Sequence, residues 1–356
     1  MQSAYLIAPK RIAIQEAPLP EPGVGDVRVK LKLVGICGSD VHLFLGHRLL
    51  ERPGIIGHEG LGYVDKLGPG VVGRAVGERV VIEPNIPCGN CRQCWTGKAN
   101  TCGNKRTIGL NEPGCFADYV IVPVDFCWTI PDTISDQDAV TVEPTAVALH
   151  ALLTAQAKPG DTIAVIGLGA IGLLVTHLAL ALGYRVLVTE LNRAKVSLAE
   201  GLGALAVCPM GTPYEQSDTL AESWLRYDVR TVFECAGAAL TASLATAAAP
   251  RGAEIVLVGL SAKPATFTPL KLTREGITIV PSLIYDHPDD FRRTLRLIEA
   301  GVIQPGFIVS GYAPLSDLQA ALDSAAQGEA SKLVIDLTLN NSHDPYPTSH
   351  GPEKPD

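Results

Sequence analysis

"TIAVIGLGAIGLLVTHLALALGYRVLVTE", residues 162–190, decides the fold. Its first part, 162–184, carries no formally charged residue and is long enough to cross a bilayer. Gly167, Gly169 and Gly172 argue against that reading, because they split the run into a strand, a tight turn and a helix. The turn Gly167-Leu168-Gly169-Ala170-Ile171-Gly172 follows one strand and opens a helix, and a second strand ends in Glu190, eighteen residues after Gly172. A glycine-rich βαβ turn with no ligand is the plain alternative. An acid at that distance favours a dinucleotide site, in which it meets the adenosine ribose hydroxyls. The first glycine makes the turn, the second lets backbone approach a pyrophosphate, and the third packs helix on strand. The helix start, with Ala170 and Ile171, then supplies N–H donors and a positive dipole. Glu190 suits free hydroxyls and repels a 2′-phosphate, so NAD is expected over NADP, although Arg193 lies close by. Val258, at the end of a later strand-like run, joins the expected cofactor contacts.

Outward from this stretch the texture differs on the two sides. Residues 1–150 read as short β-branched strands bounded by Gly and Pro, among them "VRVKLKLVGIC", "GLGYVDKLG", "ERVVIEP" and "DYVIVP". From 161 onward, strand-like runs alternate with helical patterns, which implies a parallel, doubly wound sheet. "DHPDDFRRTLRLIEAGVI" reads as a helix starting at Asp289 or Asp290 and ending near Gly301. "LSDLQAALDSAAQG" reads as another, capped by Ser316 or Asp317 and stopped by Gly328. "KLVIDL" is a closing strand, and the polar, proline-rich residues 339–356 read as a mobile tail.

A chain of 356 residues with 47% hydrophobic content should form about two domains with full cores. The net charge of −8 speaks against a nucleic-acid partner. The N-terminus has no apolar core behind a basic start, so a cytoplasmic protein is expected. Four of the nine cysteines, Cys88, Cys91, Cys94 and Cys102, crowd into "PCGNCRQCWTGKANTC", residues 87–102. In a reducing compartment, C-x2-C-x2-C-x7-C points to a structural zinc rather than to disulfides, with redox or iron–sulfur chemistry as the alternatives. Four thiolates around Zn2+ carry a formal charge of about −2. Arg92, Lys98, Lys105 and Arg106 are placed to offset it. Such a closed site does no chemistry.

A second candidate metal set is more dispersed. Cys37 stands in "GICGSDVH", His58 and Glu59 in "GIIGHEGLGYVDKLGPGV", and Glu143 in "VEPTAVALHA". Each alone has a plain structural reading: a buried thiol, a satisfied histidine, a helix-capping acid. Together, with Gly57, Gly60, Gly62 and Gly68 around His58 and Glu59, they suit backbone crowded near an ion.

Here the chain resembles the zinc-containing medium-chain dehydrogenases. The Gly57-His58-Glu59 motif with its later glycines, the cysteine loop, the GLGAIG turn and the closing "SKLVIDL" all fit that family, over residues 1 to about 338. The resemblance implies a β-rich, GroES-like, partly open barrel as the catalytic domain, residues 1–150 completed by 283–338. A Rossmann domain, 151–282, is inserted into it. It implies two zinc ions per chain, with Cys37 and His58 as catalytic-zinc ligands and Glu59 and Glu143 as direct or water-mediated ones. Ser39 would take the alcohol proton, and a relay would run through the nicotinamide ribose toward His42. Glu143 stands where the simple alcohol dehydrogenases carry a second cysteine, so the segment looks like the sorbitol, polyol and butanediol branch. The expected activity is reversible NAD-dependent oxidation of a secondary alcohol of a polyol, sugar alcohol or vicinal diol. Simple secondary alcohols or threonine-like amino-acid alcohols are the alternative substrates, and a non-catalytic nucleotide binder is a different class. We expect a small-molecule substrate, no membrane partner, and a homo-oligomer, a tetramer rather than a dimer.

Overall fold

In the computed structural model, which describes residues 1–339, the 162–190 run forms the strand Thr162–Ile166, the helix Ala170–Ala181 and the strand Arg185–Thr189. The two strands lie side by side and parallel. Among the described residues no helix is long and apolar enough to cross a membrane. Gly167 sits at φ +88°, a left-handed value open to glycine. A Cβ on Gly172 would lie 1.9 Å from the Gly167 carbonyl oxygen, whereas one on Gly169 would meet nothing within 4 Å. The third glycine thus permits close packing, and the second leaves open space at the helix start.

Around this unit lies a sheet of six parallel strands. Across the sheet the order is Leu205–Ala206, Arg185–Thr189, Thr162–Ile166, Val229–Glu234, Glu254–Leu257 and Thr278–Pro281. Chain order reverses between Thr162–Ile166 and Val229–Glu234, and at such a switch point open α/β sheets take up ligands beyond the strands' C-terminal ends.

The first half of the chain builds a mostly antiparallel sheet of seven strands. Asp26–Gly35 lies near its centre and pairs with Glu59–Leu67, Tyr119–Pro123 and Lys332–Asp336. Val309–Ala313 joins beside Lys332–Asp336. The last described strands therefore return to the sheet begun at residue 26. This GroES-like barrel and the doubly wound sheet give the expected α/β fold.

One apolar core links the two sheets. It runs from Leu33, Leu61 and Val81 through Ala146, Leu149 and Leu152 to Ile163, Val165 and Phe233. The middle residues belong to the helix Val142–Thr154, which is buried on most of its faces. A helix apolar all round has to lie inside the protein. That burial carries Glu143, its second residue, into the interior.

Two terminal expectations meet different outcomes. The helix Asp289–Glu299 begins at Asp289, with Gly301 at φ +67° just beyond its end. The helix Leu318–Ala326 has Asp317 at its N-cap position but no side-chain cap. Ser316 instead donates its hydroxyl to Asp317 Oδ1 at 3.1 Å. A 3-10 turn, Leu315–Asp317, leads into that helix, so the caps expected of Ser316 or Asp317 do not form. The proposed tail lies outside the described residues from 340 onward.

Candidate active site and metal centres

The helix Gly38–Phe44 follows Cys37, whose extended backbone, φ −92° and ψ 155°, makes it the N-cap residue. Asp40 in the first turn is fully buried. It accepts the N–H of Cys37 at 2.9 Å and the N–H of Gly57 at 3.1 Å. It thereby pins the segment carrying Cys37 to the one carrying His58. His58 Nδ1 faces Asp40 Oδ1 at 3.4 Å and is otherwise a buried nitrogen without a hydrogen-bond partner. His58 Nε2 lies 3.4 Å from Ser39 Oγ. Burial disfavours the imidazolium, yet the nearby Asp40 carboxylate and Cys37 thiol outweigh it and raise the His58 pKa well above its usual range.

Ligand atoms of Cys37, His58 and Glu59 all lie within 4.8 Å of one another. Thiolate, imidazole and carboxylate at that separation, with an unpartnered buried imidazole nitrogen, fit a zinc ion. Glu59 has a competing partner that the sequence reading missed. Lys332 Nζ donates to both of its oxygens, at 2.6 and 2.7 Å, and to the Ile36 carbonyl at 3.1 Å. Both residues are buried. The available signal was a lone cation opening the apolar run "KLVIDL".

Glu143 is not part of that close cluster, though it is buried and within electrostatic reach of it. Burial pushes its pKa up to about 7; His58 pulls it down and Glu59 pushes it up. Tyr285, also buried, feels the Glu143 charge, and its hydroxyl accepts a hydrogen bond from Asn85 Nδ2 at 2.8 Å. Beside it a small pocket is lined by Asn85, Asn100, Lys105 and His287. His42 is exposed, one turn beyond Ser39, and its Nδ1 meets His47 Nδ1 at 3.1 Å.

The cysteine loop closes on itself. Cys91 Sγ lies 3.5 Å from Cys94 Sγ and 3.8 Å from Cys102 Sγ, and Cys102 Sγ lies 3.6 Å from Cys88 Sγ. Four sulfurs at about 2.3 Å from one ion define a tetrahedron with edges of about 3.8 Å. All four cysteines are free of disulfides, and the donor set therefore fits zinc. The Cys88 N–H, pointing at the Cys102 sulfur, lowers that thiol's pKa. Of the four nearby cations, Lys105 is half-buried and feels Cys102. Arg106 turns to Glu112 at 3.8 Å, and Arg92 and Lys98 are exposed.

Next to the switch point, Glu190 is held in place by main chain. It accepts the N–H groups of Leu168 at 2.7 Å, Leu191 at 2.7 Å and Asn192 at 2.9 Å. The Leu168 bond ties it to the glycine turn itself. Ala170 and Ile171 stand at the helix start, and Arg193 is exposed at the start of the next helix. The Val258 N–H donates to the Glu234 carbonyl at 3.0 Å. Histidines without an evident role in the sequence have partners here: His150 binds Asp290 at 2.8 Å and His287 binds Glu83 at 2.9 Å.

Comparison with known proteins bears on this geometry. Residues 23–132 match the alcohol dehydrogenase GroES-like domain, and residues 170–300 match the zinc-binding dehydrogenase domain. The sorbitol dehydrogenase of Halalkalibacterium halodurans is 31% identical over 91% of this chain and 95% of its own. Among solved structures, rspB of Escherichia coli CFT073, complexed with NADH, is 30% identical with a TM-score of 0.86. It covers 95% of this chain and 99% of its own. A zinc-binding dehydrogenase of Sinorhizobium meliloti bound to NADP is also 30% identical, with a TM-score of 0.85 and coverage of 94% and 98%.

Proposed function

The chain belongs to the zinc-binding medium-chain dehydrogenases, and from that premise we propose that it oxidises a secondary alcohol of a polyol, sugar alcohol or vicinal diol to the ketone, reversibly, with NAD. The observation that carries the polyol reading is a buried carboxylate at position 143, close enough to the Cys37–His58 cluster to interact with it.

Zinc, held by Cys37, His58 and a carboxylate, supplies Lewis acidity to a bound hydroxyl, and a nicotinamide supplies the hydride acceptor. The chain's own groups place and deprotonate the substrate. Ser39, beside His58 Nε2, takes the alcohol proton. His42 passes a proton outward to His47 and water. Glu143, buried and within electrostatic reach of His58 and Glu59, is placed to accept and release a proton beside the bound hydroxyl. Glu59 and Glu143 act as direct or water-mediated ligands. Glu59 is nearer the thiolate, and it shares its oxygens with Lys332. Cys88, Cys91, Cys94 and Cys102 hold a second, purely structural zinc.

For the dinucleotide, the anchored Glu190 carboxylate supports NAD over NADP, since a 2′-phosphate would meet a charge that cannot swing away. The test is a panel of sugar alcohols, vicinal diols, simple secondary alcohols and L-threonine with zinc-loaded protein, run with NAD and with NADP and read by cofactor reduction. The reading predicts the highest kcat/KM for a sugar alcohol or diol with NAD. A simple alcohol or threonine in first place would overturn the substrate class. Equal or higher efficiency with NADP would overturn the role of Glu190.

A further inference from the structure

Glu234 ends the Val229–Glu234 strand, next to the fingerprint strand in the parallel sheet, and is only 1% exposed. Its Oε1 accepts three hydrogen bonds: from the N–H of Ala236 at 3.0 Å, the N–H of Gly237 at 3.0 Å and the hydroxyl of Thr241 at 2.7 Å. Its main-chain carbonyl accepts two more, from Val258 N–H at 3.0 Å and Gly259 N–H at 2.8 Å. One residue therefore ties the loop after its own strand to the loop after the neighbouring strand.

These loops pack against each other and against the glycine turn with no room for side chains. A Cβ on Gly259 would lie 2.2 Å from Gly237 N, and one on Gly167 would lie 2.7 Å from Ala236 Cα. The turn at 167, the loop at 235–237 and the loop at 258–259 form one rim at the switch point. Glu190 lies on the opposite side, at the end of Arg185–Thr189. If the adenosine half of a dinucleotide lies over Glu190, its other half falls over the loops that Glu234 holds.

We propose that Glu234 is a positioning residue for the nicotinamide half of the dinucleotide, its side chain fixing the 235–237 loop, against which the 258–259 loop packs. The proposal rests on the dinucleotide reading given above. It works through hydrogen-bond acceptance by one oxygen, which an amide oxygen reproduces and a methyl group does not.

The experiment titrates zinc-loaded protein with NADH and with ADP-ribose, which shares the adenosine and pyrophosphate but lacks nicotinamide. Losing acceptance of three partly buried donors in Glu234→Ala should raise the Kd for NADH about tenfold, with the ADP-ribose Kd within about threefold of wild type. Glu234→Gln should restore NADH binding to near the wild-type value. Thr241→Val, which removes one donor, should weaken NADH about threefold and leave ADP-ribose unchanged, and it keeps the test valid should the alanine variant not fold. Equal weakening of both ligands, or a glutamine variant as poor as alanine, would overturn the proposal. A wild-type protein that binds neither ligand would instead overturn the dinucleotide reading itself.

Discussion

By the family resemblance, Glu143 stands where the simple alcohol dehydrogenases carry a cysteine. The exchange keeps that ligand's formal charge at about −1 but trades a soft sulfur for a hard oxygen donor. With Glu59 counted as well, Cys37, His58 and two ionised glutamates would leave zinc at about −1, and a more negative site acidifies a bound hydroxyl less. A diol regains binding by offering two oxygens. Glu143→Cys should therefore lower kcat/KM for a vicinal diol about tenfold more than for a simple secondary alcohol, about 1.4 kcal/mol of differential transition-state binding. The check is the ratio of the two efficiencies, with zinc content measured in each protein. An unchanged ratio would make Glu143 mere support for its helix. The Lys332–Glu59 pair invites a second substitution. Lys332→Met leaves a buried carboxylate uncompensated and should cost about 3–5 kcal/mol in denaturant unfolding of the unit. Adding Glu59→Gln should recover most of that loss. A single variant within about 1 kcal/mol of wild type would show that the carboxylate finds another partner.

Among the elements, the cysteine loop is the clearest case of a segment unable to hold its shape by packing. Between residues 91 and 101 it has only short helical turns, Arg92–Trp95 and Ala99–Thr101, with no buried residue in either. Trp95 stands 75% exposed. The metal must supply what a core does not. Cys94→Ser should lower bound zinc from two ions per chain to one and reduce Tm by at least ~5 °C. Elemental analysis and calorimetry read both, and retention of two ions would contradict the assignment. The elements also differ in how legible they were. The strands around the glycine turn were readable because their demands are local: a left-handed Gly167, a close contact at Gly172, an acid at the end of the next strand. The helix Pro213–Arg226 went unread although Thr212 and Glu215 form a capping box at its start. Its T-P-x-E signature was present in the sequence. The caps expected of Ser316 or Asp317 failed because those residues form a 3-10 turn, a choice between two local geometries that the sequence leaves open.

Over the whole molecule, what escaped the sequence was pairing across long separations. Lys332 meets Glu59 across 273 residues, and His287 meets Glu83 across 204. No periodicity or spacing encodes such partners; the first exists only once Lys332–Asp336 has returned to the sheet that contains Glu59–Leu67. Residues widely scattered in sequence come within electrostatic reach of one another: Cys37 and Glu59 from the barrel, Glu143 from the linking helix, Tyr285 from the segment after the parallel sheet. The ligand types were legible one by one, while the competition of Lys332 for Glu59 was not.

In the proposed reaction the Cys37–His58 cluster holds the ion that does the chemistry, separately from the ion of the cysteine loop. The direct measurement is Cys37→Ser, assayed for zinc per chain and for NAD reduction with the best polyol of the panel. The account predicts one zinc ion retained, an unchanged circular dichroism spectrum and no measurable NADH formation. Two ions retained, or activity within about tenfold of wild type, would contradict it.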